Sequence, residues 1–408
     1  MTKAESGRMH AYYEAKGLSP TFGNLRTPEE LDRHVAMRER IFIDKLNVVP
    51  QLFAGARALE FGPDTGENAL VFARWGATVD LVEPNRQVWP QIEAYFRHFG
   101  LADRLGTLDD SSIQQFRPSQ TYDVAVAEGF IQTVQPSSTW IGTVAHAIAP
   151  GGMLILFYYE RASFLVELFH RAAHRRFGHL VGGAGLDSAR RLYEAKWNTI
   201  PHVRRFESWV MDVLDNPYSS IRYTLDASQL VAELADAGFR FYQSWPRYRD
   251  ELRMGWHKAM ETTGAVVAEI RRQLPRLAVA HATGRSLFAY GPDREVADLG
   301  ARIDRLLTGL EAAADEKGEP WPEIADGFAA LGRAVGDPAL LYAPDDATRT
   351  EARASLDALA ALSRLLAGGE AAAIAAFAST DAAFLRTWGQ PAHYAVFRRL
   401  PDAPGGTT

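Results

Sequence analysis

Apolar residues follow two different periods along this chain. In residues 1–55 the helical spacing of Leu31, Val35, Ile41, Phe42 and Leu46, beyond the turn GLSPTFGN, predicts helices. From ARALEF onward the apolar residues instead come in short runs separated by helix-sized segments. These runs are ATVDLVEP at 77–84, a weaker RLGTLDD near 107, YDVAVAEG at 122–129 and GGMLILFYY at 151–159. Strand, helix, strand at that spacing predicts right-handed crossovers and a parallel sheet covered on both faces. The predicted fold class is α/β, a Rossmann-like doubly wound sheet with ligands at the C-terminal ends of its strands.

Beyond the last of these runs, RASFLVELFHRAAHRR at 161–176 reads as an amphipathic helix and FGHLVGGAGLDS as a loop. A further helix, DASQLVAELADAG, leads into the strand-like FRFYQSWP at 239–246. The chain then turns Ala-, Leu- and Arg-rich, with about five helical segments and no fixed repeat period. At 392–400, AHYAVFRRL is strand-like again, and PDAPGGTT is a polar tail expected to be disordered. The expected organisation is a helical N-terminal lid at 1–55, a core at 56–246 and a helical insertion at 247–391. A returning strand at 392–400 then pairs with 239–246, and 401–408 is the tail.

Composition narrows the function. The 408 residues, 47% of them hydrophobic, suffice for a sizeable core, and a formal charge of -6 gives no general attraction to nucleic acid or anionic lipid. With no cysteine, disulfides, thiolate zinc sites and a cysteine nucleophile are excluded. Neither a signal pattern at the N-terminus nor an apolar run long enough for a membrane span is present, so a cytoplasmic protein is expected. His170 and His174 stand at i and i+4 in HRAAH, but beside arginines that repel a cation, and no metal is expected.

The chemistry concentrates in ALEFGPDTGENAL, residues 58–70. Gly62, Pro63, Asp64 and Gly66 make a turn between a strand and a helix, where backbone N–H groups can touch a ligand. Asp64 would repel a pyrophosphate but suits a ligand carrying an ammonium or sulfonium. Glu83, 17 residues after Gly66 at the end of the second strand, stands where such folds offer a carboxylate to ribose hydroxyls.

In order and spacing, ALEFGPDTGENAL, VDLVEPN, YDVAVAEGFIQTV and APGGMLILFYYE resemble the successive motifs of class I S-adenosylmethionine-dependent methyltransferases. The resemblance covers residues 56–160 and extends loosely to 246. It implies that Glu60, Gly62, Asp64 and Gly66 meet the methionine part of S-adenosylmethionine, Glu83 the ribose, and Asp109 or Asp110 with Ser111 the adenine. One departure is Asp64, which replaces the middle glycine of the family turn and is compatible with a cationic cofactor. An NAD-dependent oxidoreductase is the competing reading, and it lacks a downstream Tyr-x-x-x-Lys pair. A binding protein of the same fold without catalysis is the third.

Methyl transfer is an in-line displacement that needs alignment and desolvation, so catalytic residues are weakly encoded. Glu128 at the end of the fourth strand and Tyr158, Tyr159 and Glu160 at the end of the fifth are placed by the pattern near the cofactor's mouth. Alternation lets only one of the two tyrosines face a ligand. Of the flanking residues, His202 is the best general-base candidate by its reference pKa of ~6.5, and Arg204 and Arg205 suit an acceptor's carboxylate or phosphate. The expected acceptor is a small polar metabolite, methylated on O or N. A non-methylating use of the same cofactor, releasing methylthioadenosine, is the alternative. The Trp-rich SWPRYRDELRMGWHK and the helices beyond it suit an acceptor cover, a homodimer interface or plain core.

Overall fold

The computed structural model describes residues 12, 25–200, 205–249, 262–285, 287–289, 293–318 and 320–401. The chain clusters into two compact units, the first from Met1–Tyr158, Ser228–Val267 and His393–Thr408, the second from Tyr159–Ala227 and Ala268–Ala392.

The first unit is built on a seven-stranded sheet. Its strands are β1 (Arg57–Phe61), β2 (Thr78–Val82), β3 (Leu105–Asp109), β4 (Tyr122–Glu128), β5 (Ile148–Tyr159), β6 (Phe239–Trp245) and β7 (Ala392–Arg399), in the spatial order 3-2-1-4-5-7-6. Pairing is parallel from β3 through β5, whereas β6 and β7 are antiparallel, with Phe241 opposite Phe397. The fold is the doubly wound, Rossmann-like sheet of the class I methyltransferase type, and its order reverses between β1 and β4. Ligands of such sheets bind outside the strand ends at that point.

Local chemistry explains the register. Asp80 is buried inside β2, where it accepts from Thr107 N at 2.7 Å, Gln120 Nε2 at 2.8 Å and the Tyr122 hydroxyl at 2.8 Å, tying β2 to β3 and β4. Helix α1 (Pro28–Glu39) starts on a Thr27–Glu30 capping box. Beyond it Phe42 and Phe53 pack with Phe72 and Trp75, the first of these on helix α2 (Glu67–Arg74), so this prefix shares the core of the sheet.

The second unit is helical, and residues 159–227 join it, although sequence spacing puts them within the expected core at 56–246. Phe164, Leu165, Leu168, Phe169 and Phe177 share one apolar cluster with Leu307, Trp321, Phe328 and Leu359, and that burial decides their membership. The chain thus leaves the sheet unit twice, after β5 and after β6. No helix among the described residues is long and apolar enough to cross a membrane.

Candidate functional site

The glycine turn follows β1 directly. Gly62, at φ 64°, sends its N–H to Val82 O at 2.9 Å, and Gly66 begins α2 at φ 92°. A Cβ on Gly62 would lie 2.8 Å from the Phe130 ring, so only glycine brings the backbone this close. Asp64 is itself left-handed, at φ 51°, a conformation Asp tolerates better than most side chains.

Glu83 is 7% exposed and closes the turn from the next strand. Its Oε2 accepts from Asp64 N at 3.2 Å and its Oε1 from Asn85 N at 2.8 Å, which leaves each oxygen a second lone pair for a ligand hydroxyl. Burial pushes the Glu83 carboxyl up to about 7 against the opposing pull of these N–H groups. Asp109, at the end of β3, receives Glu83 N on its carbonyl at 2.8 Å and Ser111 N on Oδ1 at 2.8 Å. The Ser111 hydroxyl is buried with no partner among the described residues. Asp110 differs from its neighbour: it is half exposed and pairs with Arg86 Nε at 2.7 Å.

Carboxylates crowd the strand ends. Glu60 is buried, with no partner for Oε2 among the described residues. Burial and the charges of Glu128, Glu67 and Glu83 raise its pKa well above the ordinary value, while Arg38 acts in the opposite sense. Glu67 accepts from the Thr65 hydroxyl, and burial lifts it to about 7. Glu128 is held on Oε1 by Arg38 Nη2 at 2.7 Å and on Oε2 by Asn68 Nδ2 at 3.0 Å.

The residues expected near an acceptor have different partners. Tyr158 is fully buried in a hydrogen-bonded chain, its hydroxyl 2.6 Å from that of Tyr248, which in turn lies 2.8 Å from His393 Nδ1. Tyr159 and Glu160 belong to the helical unit. Tyr159 stacks on Phe164, and Glu160 accepts from Ser163 N at 2.9 Å, with burial raising its carboxyl to about 8. His202 and Arg204 lie outside the described residues, and Arg205 precedes a short helix, Phe206–Trp209.

A family profile described as "Methyltransferase domain" matches residues 33–244. The chain belongs to this methyltransferase-domain family. No curated protein matches its sequence. Among solved structures it is similar to the N-methyltransferase NodS from Bradyrhizobium japonicum WM9 in complex with S-adenosyl-l-homocysteine, at 18% identity over 38% of this chain and 74% of that one, with a TM-score of 0.27. It is also similar to the CcbJ methyltransferase from Streptomyces caelestis, at 18% identity over 35% and 53% of the two chains, TM-score 0.27. A third is the cyclase SpnF, at 13% identity over 94% and 85%, TM-score 0.36. The chain spans about half the length of the CcbJ structure.

One buried cation at the strand ends, Arg38, does not stand out in the sequence. Arg38 on α1 has no partner for its Nε–H among the described residues, while its Nη1 reaches the Tyr394 hydroxyl at 3.2 Å. The signal was available: Arg38 lies seven residues after Leu31 and four before Phe42, on the stripe that both of them bury. Asn68 and Tyr394 gave no such signal, since a polar residue early in a helix and a tyrosine in a strand are ordinary there.

An orphaned carboxylate oxygen on Glu60 and an orphaned N–H on Arg38 match the ammonium and carboxylate of an amino-acid end, and Glu83 matches a ribose. The residues present therefore fit S-adenosylmethionine. Among the described residues no group of three His, Cys, Asp or Glu is arranged to hold a metal.

Proposed function

We propose that the protein transfers a methyl group from S-adenosylmethionine to an O or N atom of a small polar metabolite. The observation that carries this reading is Glu83, which fastens the Asp64 backbone of the glycine turn and keeps lone pairs free for ribose hydroxyls. S-adenosylmethionine, when bound, supplies an electrophilic methyl on a sulfonium. Glu83 holds the ribose and the turn positions the methionine chain, with Gly62 and Gly66 admitting it close to the backbone. Glu60, Asp64 and Glu128 supply a negative field that favours a cation, and Arg38 takes the carboxylate. Asp109 and Ser111 are the groups at hand for the adenine, whereas Asp110 is engaged by Arg86. Glu160 is retained as a candidate proton acceptor, and His202 as a second; both tyrosines are assigned to packing, Tyr158 with Tyr248 and Tyr159 on Phe164. An acceptor of modest size follows from the absence of a basic surface signature in an acidic chain.

The test is to incubate the purified protein with the cofactor, alone and with a metabolite extract, and to identify small products by mass spectrometry. S-adenosylhomocysteine appearing only with extract, together with a methylated product, supports the reading. Methylthioadenosine formed without any acceptor overturns it in favour of a non-methylating reaction.

A further inference from the structure

The Tyr394 hydroxyl accepts from Arg38 Nη1 at 3.2 Å, and its own proton has no acceptor among the described residues. Tyr394 is 6% exposed near the start of β7, with its ring 4.7 Å from that of Phe157 on β5. A hydroxyl so buried has lost water as a partner, and leaving its proton unmatched costs free energy. Arg38 carries the same deficit. Its Nη2 is taken by Glu128 at 2.7 Å and its Nη1 by Tyr394, while no described residue accepts from Nε–H. Two unused donors therefore stand on side chains bonded to each other, one of them a cation. A carboxylate, with two oxygens, is the complement of such a pair. Burial and the Glu128 charge push the Tyr394 hydroxyl above the ordinary tyrosine range, so it remains a donor at neutral pH.

We propose that the Tyr394 hydroxyl donates to the carboxylate of the cofactor's amino-acid end, beside Arg38, so that the returning strand makes the site select ligands that keep this carboxylate. The inference rests on the functional reading above, which gives the carboxylate to Arg38 alone. Arg38 is already shared: its charge balances Glu128, and a second carboxylate beside it meets the repulsion of that acid. A neutral hydroxyl adds a hydrogen bond to an ionised oxygen without burying another charge. The ligand's ammonium arrives together with its carboxylate, so this end of the cofactor brings no net charge.

Tyr394→Phe removes the hydroxyl and keeps the ring on Phe157. In titration calorimetry of the full chain, this variant is expected to bind S-adenosylmethionine about tenfold more weakly, or worse. Decarboxylated S-adenosylmethionine keeps the sulfonium and the amine and lacks only the carboxylate, and it should bind the variant and the wild type equally well. An equal loss for both ligands would assign Tyr394 to structure, and an unchanged affinity for S-adenosylmethionine would remove it from the site. Either result overturns the inference and leaves the cofactor site standing. The same change in an Arg38→Lys background, which keeps a cation opposite Glu128, separates a direct contact from support of Arg38. A further selective loss is expected there, and no further loss overturns the direct contact. If a variant does not fold, a crystal structure of the wild-type chain with S-adenosylhomocysteine decides, by whether the Tyr394 hydroxyl lies within hydrogen-bond distance of the ligand's carboxylate. Failure of the wild-type chain to bind either ligand rejects the functional reading, and the inference with it.

Discussion

Arg38 Nη2 donates to Glu128 Oε1 at 2.7 Å, with side-chain exposures of 5% and 10%. This pair joins the N-terminal helix to the end of β4, and Asn68 Nδ2 and the Tyr394 hydroxyl add hydrogen bonds to Glu128 and Arg38. Burial works against the Arg38 charge, but Glu128 and Tyr394 outweigh it and hold the guanidinium protonated. Removing one partner of such a pair leaves the other buried and uncompensated. Arg38→Met is expected to cost about 3–5 kcal/mol of stability, while Arg38→Met combined with Glu128→Leu costs less than the sum of the single changes. Urea denaturation of the four proteins measures this; additive costs would show that the pair is not coupled.

Glu83→Ala removes both the anchor of the Asp64 N–H and the proposed ribose acceptor. A loss of roughly 1.5–3 kcal/mol, more than tenfold in affinity for S-adenosylmethionine, is expected by titration calorimetry. Unchanged affinity would take Glu83 out of the site.

Gly62→Ala puts a Cβ 2.8 Å from the Phe130 ring while φ stays at 64°. Backbone strain alone is expected to cost about 1–3 kcal/mol, with cofactor affinity falling as the turn shifts. Adding Phe130→Ala relieves the clash but not the strain, so thermal denaturation of the double variant should show only partial recovery. Full recovery would show that the positive φ carries no cost.

The buried acids set a pH dependence. Glu67 and Glu83 are each raised from 4.5 to about 7 by burial. Between these values the folded protein holds protons that the unfolded chain has released, so their contribution to stability is full below 4.5 and is lost as pH rises to about 7. Each contributes a fall of up to about 1.4 kcal/mol per pH unit in that window. The ligand-free protein should therefore unfold at lower urea concentration as pH rises through it, and the combined Glu67→Gln and Glu83→Gln variant should show a flatter profile. An unchanged slope in the variant would assign the dependence to other groups.

Much of the sheet was legible because parallel strands covered on both faces announce themselves as short apolar runs, as in TVDLV and YDVAVAE. The turn was legible because Gly62 and Gly66 adopt positive φ, which glycine alone enters freely. Partners far apart in sequence were not: periodicity shows that a face is buried but not what covers it. Thus the stripe through Leu31 and Phe42 marked α1 as packed without revealing that Arg38 meets Glu128. The amphipathic helix Leu165–Leu180 likewise showed a buried face and gave no sign that its neighbours are Trp321 and Phe328. Tyr158 was expected near an acceptor because it lies one residue before the end of β5, but its hydroxyl meets Tyr248, which meets His393, and both are distant along the chain.

The most direct test of the cofactor site is a crystal structure with S-adenosylhomocysteine. The account predicts ribose hydroxyls on the Glu83 carboxylate and the methionine chain along Gly62–Gly66, with its ammonium toward Glu60 and its carboxylate toward Arg38. A ligand bound away from this turn, with the Glu83 carboxylate making no contact to it, would contradict the account.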